Sequence, residues 1–142
     1  MSATYVEHVN ITVKDLDKTV SFILVALPDW RVRGGSTIDW FGKPARWAHV
    51  GTESSYLALM DGGEGSGSRW TGHHVGMKHV GIVVPSVDAV VERLAAAGHA
   101  LDHWGGSHPA RKSVYFTERD ELQFEFIEYL TDRLADRNDY AR

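Results

Sequence analysis

His8 and His79 are the residues whose placement points to chemistry, because each sits second in a copy of the same seven-residue pattern, EHVNITV at 7–13 and KHVGIVV at 78–84. At an offset of 71 positions (8 to 79) Val9 also matches Val80, Ile11 matches Ile82, Val13 matches Val84 and Asp17 matches Asp88. A lone strand histidine is ordinarily a core or rim residue, and the repetition is what singles these two out. Two imidazoles at equivalent places in two copies of one unit would be brought together by the pseudo-twofold relating the copies. A carboxylate would complete the set, and Glu125 lies on the less apolar side of the strand pattern at 122–129. Two histidines and one carboxylate hold a divalent ion on one side and leave neighbouring positions open, which is the arrangement of a catalytic site rather than a structural one.

The elements that must position these residues follow from periodicity. Residues 5–13 alternate as a strand, with His8, Asn10 and Thr12 on one face and Val9, Ile11 and Val13 on the other. Asp15 is a helix N-cap, Leu16, Val20, Ile23, Leu24 and Leu27 recur at helical spacing, and Pro28 ends the element. Strand-like pieces follow near 30–34, 45–51 and 54–60, separated by Gly34-Gly35 and Gly42-Lys43-Pro44. The glycine-rich stretch 62–76 reads as a linker. The order then repeats: strand 78–84, Ser86 as N-cap, a helix carrying Val87, Val90, Val91 and Leu94, Gly98 as C-cap, short strands near 100–104 and 112–117, and the strand 122–129. Residues 131–142 are charged, a short helix or a frayed tail.

At 142 residues the chain is expected to be one domain, with module one at about 4–61, module two at about 77–130, and a sheet shared between halves that would each be marginal alone. A net charge of −4 with no basic stripe argues against nucleic acid and anionic membranes as partners, and no apolar run is long enough to span a bilayer. The chain has no cysteine, so any metal must be held by nitrogen and oxygen, and a cytoplasmic setting is expected.

The two copies, the strand–helix–three-strand order of each half and VYFTERDELQFEFIEYL at 114–130 resemble the vicinal oxygen chelate superfamily, which includes glyoxalase I, extradiol dioxygenases, fosfomycin-resistance proteins and bleomycin-binding proteins. The resemblance runs from about Tyr5 to Leu130. It implies an α+β fold of two βαβββ modules forming an open, cup-shaped mixed sheet with helices outside. It also implies metal ligands at His8, His79 and Glu125, a divalent ion (Fe, Mn, Ni or Zn) and a small-molecule substrate chelated through adjacent oxygens, and the sheet edges left by such a cup make a homodimer the expectation. Where the family's turn before the last ligand reads Asp-Pro-Asp-Gly-Asn, this chain has Glu118-Arg119-Asp120-Glu121-Leu122. The position of a second glutamate in glyoxalase I falls on Ala58, which favours three-ligand members over lactoylglutathione lyase.

Further candidates are His49, on the face of Trp47, as a base near the ligands or as packing against the ring, and Tyr115 as a proton carrier or a core tyrosine. Arg46, Arg111 and Lys112 are candidate anchors for a substrate anion or rim charges. Glu128 rivals Glu125 as ligand, and Trp70, His73 and His74 are candidate lid residues or solvated loop residues. Trp30, Trp40, Trp47 and Trp104 suggest an aromatic pocket, and with it the alternative of a metal-free binding protein of the bleomycin-resistance type.

Overall fold

A computed structural model describes residues 3–119 and 122–141. The chain divides into two compact units, Met1–Gly65 and Ser66–Arg142. In the first, β1 (His8–Thr12), α1 (Leu16–Ala26), β2 (Arg31–Trp40), β3 (Lys43–Gly51) and β4 (Tyr56–Met60) form a four-stranded sheet in the order β1-β4-β3-β2. In the second, β5 (Val80–Val83), α2 (Val87–Ala96), β6 (His103–Trp104), β7 (Arg111–Glu118) and β8 (Leu122–Tyr129) repeat it as β5-β8-β7-β6, followed by a short helix, α3 (Leu134–Arg137). The fold is therefore α+β, two βαβββ modules. Each unit hydrogen-bonds its own sheet, whereas a single shared sheet was expected from the small size of each half. The first strand of each module runs parallel to its last, β1 to β4 and β5 to β8, and the remaining pairs are antiparallel. No helix of the described residues is long and apolar enough to cross a membrane.

Strand alternation sorts the side chains. In the second unit Val80, Ile82, Val114, Phe116, Phe124 and Phe126 are buried on one face with Val87, Val90 and Leu94 of α2. In the first, Val50, Leu57 and Leu59 are buried together with Leu16, Phe22 and Ile23 of α1. The opposite face of each sheet carries the polar candidates.

Both helices begin in the same way. Asp15 and Ser86 cap them, accepting from the backbone N–H of Lys18 at 3.0 Å and Ala89 at 3.1 Å. A carboxylate from the end of the last strand then satisfies the first helical N–H: Asp61 accepts from Leu16 at 2.9 Å, and Glu128 from Val87 at 2.9 Å. Two of the four orphan donors at each helix start are thus met by side chains. A second duplicated contact ties sheet to helix, Arg46 to Asp17 at 2.9 Å and Lys112 to Asp88 at 2.7 Å.

The sequence boundaries need three corrections. Strand β2 does not stop at Gly34-Gly35 but continues to Trp40, with a register shift between Val32 and Gly34. Glycine is needed there because a Cβ on Gly35 would lie 2.5 Å from the Trp47 carbonyl oxygen. The turn expected at 42–44 is the two-residue pair Phe41-Gly42, with φ of 48° and 89°, the left-handed geometry of a tight hairpin. Strand β5 starts at Val80, so His79 lies one residue before it, and Asp120 and Glu121 of the unusual turn lie outside the described residues.

Replacing Glu128 with Ala should leave the Val87 N–H without its partner and lower stability by about 1–2 kcal/mol, with Asp61→Ala costing a similar amount. Urea unfolding of the two variants beside wild type measures both, and Glu128→Gln, which keeps an acceptor, should lose less.

Candidate functional site

In the second unit the pairing register brings three candidates to one face. Glu125 on β8 lies opposite Gly81 of β5 on one side and Tyr115 of β7 on the other. The Tyr115 hydroxyl donates to Glu125 Oε2. The other carboxylate oxygen, Oε1, lies 3.8 Å from His79 Nε2, and the His79 ring meets Tyr115 edge-on at 5.4 Å.

Above Tyr115 is an aromatic stack. His103, paired with Tyr115 across β6 and β7, lies flat on the phenol at 4.4 Å and 4°, and Trp70 stacks on His103 at 4.9 Å. Asp102 holds the rim, accepting from Thr117 and Gln123 at 3.2 Å each. Asp102, Thr117 and Gln123 border a cavity of about 620 Å³ that Arg69, Trp70 and Lys78 also help to line. Of the candidate lid residues, Trp70 is docked in this way and the Lys78 ammonium donates to its carbonyl and to that of Gly72, both at 2.9 Å, while His73 and His74 are exposed.

Burial, reinforced by the hydrogen bond and charge of Glu125, pushes the Tyr115 phenol up to about 12. It therefore holds its proton across the physiological range, as the donor of the hydrogen bond to Glu125.

In the first unit the polar face is built around Tyr56. His8 stacks on its ring at 4.9 Å, His49 at 4.6 Å, and the Arg33 guanidinium lies 4.1 Å from the ring centre. Glu7 Oε1 accepts from His8 Nδ1 at 2.9 Å and from the Tyr56 hydroxyl at 3.2 Å. The hydrogen bond from His8, followed by that from Tyr56, holds the Glu7 carboxyl below its ordinary value. His49 also packs against Trp47 at 4.9 Å, and burial, with the charge of Arg33 next, pushes its pKa down, so the ring is neutral at neutral pH. A separate pocket of about 380 Å³ is lined by Asn10, Ile38, Trp40, Trp47, His49 and Ala58 among others; Trp30 and Trp104 are not part of it.

The registers place the repeats residue on residue. Ala58 stands opposite Asn10 and His49 as Glu125 stands opposite Gly81 and Tyr115, so the first unit has alanine where the second has its carboxylate. Glu128 caps α2, which takes it away from the ligand role considered for it, and Arg46 and Lys112 are paired with the helix aspartates Asp17 and Asp88. Glu7, Tyr56 and His103 were not singled out by the sequence. Their signal there is slight: Glu7 precedes a repeated histidine but its counterpart is Lys78, and the other two depend on cross-strand pairing.

The donor chemistry of His79 and Glu125 fits a divalent ion. Nitrogen and oxygen ligands at about 2.1 Å from one ion lie about 3.0–3.4 Å apart, so the 3.8 Å pair needs only a small side-chain adjustment. Among the described residues no group of three or more histidine, aspartate or glutamate side chains is already gathered for a metal.

The chain is similar to several solved structures. A glyoxylase/bleomycin resistance protein/dioxygenase domain from Frankia sp. EAN1pec is 26% identical with a TM-score of 0.71, over 90% of this chain and 99% of that one. A variant of the fosfomycin resistance protein FosX from Listeria monocytogenes, complexed with Mn(II) and 1S,2S-dihydroxypropylphosphonic acid, is 21% identical with a TM-score of 0.70, over 97% and 100%. A glyoxalase family protein from Bacillus cereus is 17% identical with a TM-score of 0.75, over 92% and 97%. No protein-family profile and no curated protein matches the sequence. These neighbours define a class of paired βαβββ proteins. In fold the chain is similar to these vicinal oxygen chelate superfamily proteins.

The Tyr115–Glu125 contact sets an expected titration. One tyrosine should ionise near pH 12 when followed by tyrosinate absorbance, and in Glu125→Gln it should ionise at lower pH because the charge is gone. Between about pH 10 and 12 the unfolded chain gives up this proton while the folded chain keeps it. The stabilisation is therefore complete below about pH 10 and is lost as pH rises through 12, which pH-dependent unfolding would show.

Proposed function

We propose that this protein is a metal-dependent enzyme that binds a small substrate through two adjacent oxygens, with His8, His79 and Glu125 as the ligands of a divalent ion. The carrying observation is the His79–Glu125 pair: an imidazole nitrogen facing a carboxylate oxygen at 3.8 Å, with the second oxygen already held by Tyr115. His8 is the repeat counterpart of His79 and presents a second imidazole on the polar face of the first unit. A divalent ion there supplies Lewis-acid stabilisation of charge developing on the substrate oxygens. A nitrogen and oxygen donor set accepts Mn, Fe, Ni or Zn, and the Mn(II) complex of FosX supports this class of ion.

The remaining residues divide the proton work. Tyr115 keeps its proton and aims Glu125, so its role is positioning. His49, neutral at neutral pH, is the candidate proton acceptor. Alanine at position 58 leaves the set at three ligands, which supports chemistry of the dioxygenase or fosfomycin-resistance kind over lactoylglutathione lyase. The same reading takes the chain as one domain working as a homodimer in the cytoplasm.

A metal-free binding protein is the second reading, supported by the aromatic lining of the 380 Å³ pocket around Trp40 and Trp47. It requires ligand-dependent tryptophan quenching that survives EDTA.

Elemental analysis of untagged protein, reconstituted with each ion, tests the metal reading. Stoichiometric metal is expected, with affinity falling by more than about 100-fold in His8→Ala, His79→Ala and Glu125→Ala and unchanged in Glu128→Ala. Absence of metal from reconstituted wild type would move the assignment to the binding protein.

A further inference from the structure

The two repeated histidines are held differently. His79 faces a carboxylate through Nε2. His8 faces one through Nδ1, at 2.9 Å from Glu7 Oε1, and its Nε2 has no partner within its unit among the described residues. Glu7 is itself pinned at two points: its carbonyl accepts from the Tyr56 N–H at 3.0 Å, and its Oε1 also accepts from the Tyr56 hydroxyl at 3.2 Å. The same tyrosine supports the imidazole face at 4.9 Å and 13°. Backbone, hydroxyl and ring of one residue on β4 therefore fix the carboxylate and the imidazole together.

A carboxylate whose oxygen accepts a phenolic proton can only accept from the imidazole as well, so Nδ1 must carry hydrogen and, in the neutral ring, Nε2 must carry the lone pair. Metal-binding histidines commonly have such an arrangement, one ring nitrogen donating to a carboxylate while the other ligates. The offset of 71 places Lys78 where Glu7 stands, and Lys78 instead donates to the carbonyls of Trp70 and Gly72. Among the described residues, a carboxylate from the preceding residue at Nδ1 is thus found at the first of the two repeated histidines and not at the second.

We propose that Glu7 is a positioning residue, which holds His8 in the Nδ1–H tautomer and so presents Nε2 for ligation; the ligand part of this inference rests on the metal centre proposed above. Glu7 is exposed, so its replacement leaves the core untouched.

The test has two readouts. Long-range ¹⁵N–¹H correlation spectra of the metal-free protein, at a pH above the ordinary histidine value of about 6.5, report the tautomer of His8, assigned by its loss in His8→Gln. Wild type should show protonated Nδ1 and bare Nε2, Glu7→Ala should lose that preference, and Glu7→Gln, which retains an acceptor, should keep most of it. Isothermal titration with Zn(II) should then show affinity reduced roughly 10–100-fold in Glu7→Ala and less in Glu7→Gln. An unchanged tautomer in Glu7→Ala overturns the role of Glu7, and a changed tautomer with wild-type affinity overturns its link to ligation. Wild-type protein that binds no Zn(II) or other ion counts against the metal centre instead, because the tautomer is read without metal.

Discussion

The burial of Phe124 and Phe126 on one side of β8, with Val80, Ile82, Val114, Phe116 and the inner residues of α2, is the constraint on which the rest of the second unit depends. A strand whose alternate residues are buried cannot slip by one position without exposing all of them, so its register is strongly specified. That register sets Glu125 opposite Tyr115 and Gly81, on the face away from the phenylalanines. The hydrogen bond from Tyr115, the approach of His79 and the stack of His103 and Trp70 are consequences of this one alignment. Glu128 shows the same rule from the other side. Three residues past Glu125 it falls on the phenylalanine face, where the helix start is, and it caps α2.

The two modules keep the same scaffold and differ in the chemistry laid over it. Helix capping by the last strand and the cation–aspartate pair between sheet and helix occur in both. On the polar faces nearly every equivalent pair differs: Glu7 and Lys78, His49 and Tyr115, Ala58 and Glu125, Tyr56 and Gln123. Only the histidines are shared. A tyrosine hydroxyl donates to a carboxylate beside a histidine in each unit, yet the residues come from non-equivalent positions, and the carboxylate meets Nδ1 in one and Nε2 in the other. Scaffold contacts bury or cap groups that every copy of the module must satisfy, whereas the open face has no such demand and can diverge.

Much of this was legible beforehand. The repeat, the βαβββ order, both N-caps and the alternation of β8 follow from local patterns whose physical basis lies within a few residues. The pattern ends strand β2 at Gly34-Gly35, which looks like a turn, although close approach of the Trp47 carbonyl is what requires glycine at 35. The pairing of Arg46 with Asp17 and of Lys112 with Asp88 is likewise not visible in the sequence, because the partners are 29 and 24 positions apart.

The sequence by itself determined the module order, the faces of the strands and the repeated histidines, because these rest on periodicities of two and 3.6 residues and on short-range capping. Only the tertiary structure decided which neighbours those faces present. Tyr56 reaches Glu7 from 49 positions away, and His103 lies flat on Tyr115 across a strand pair. Such contacts are fixed by strand order and register, which depend on how the whole apolar face packs, and no short stretch of sequence carries that information.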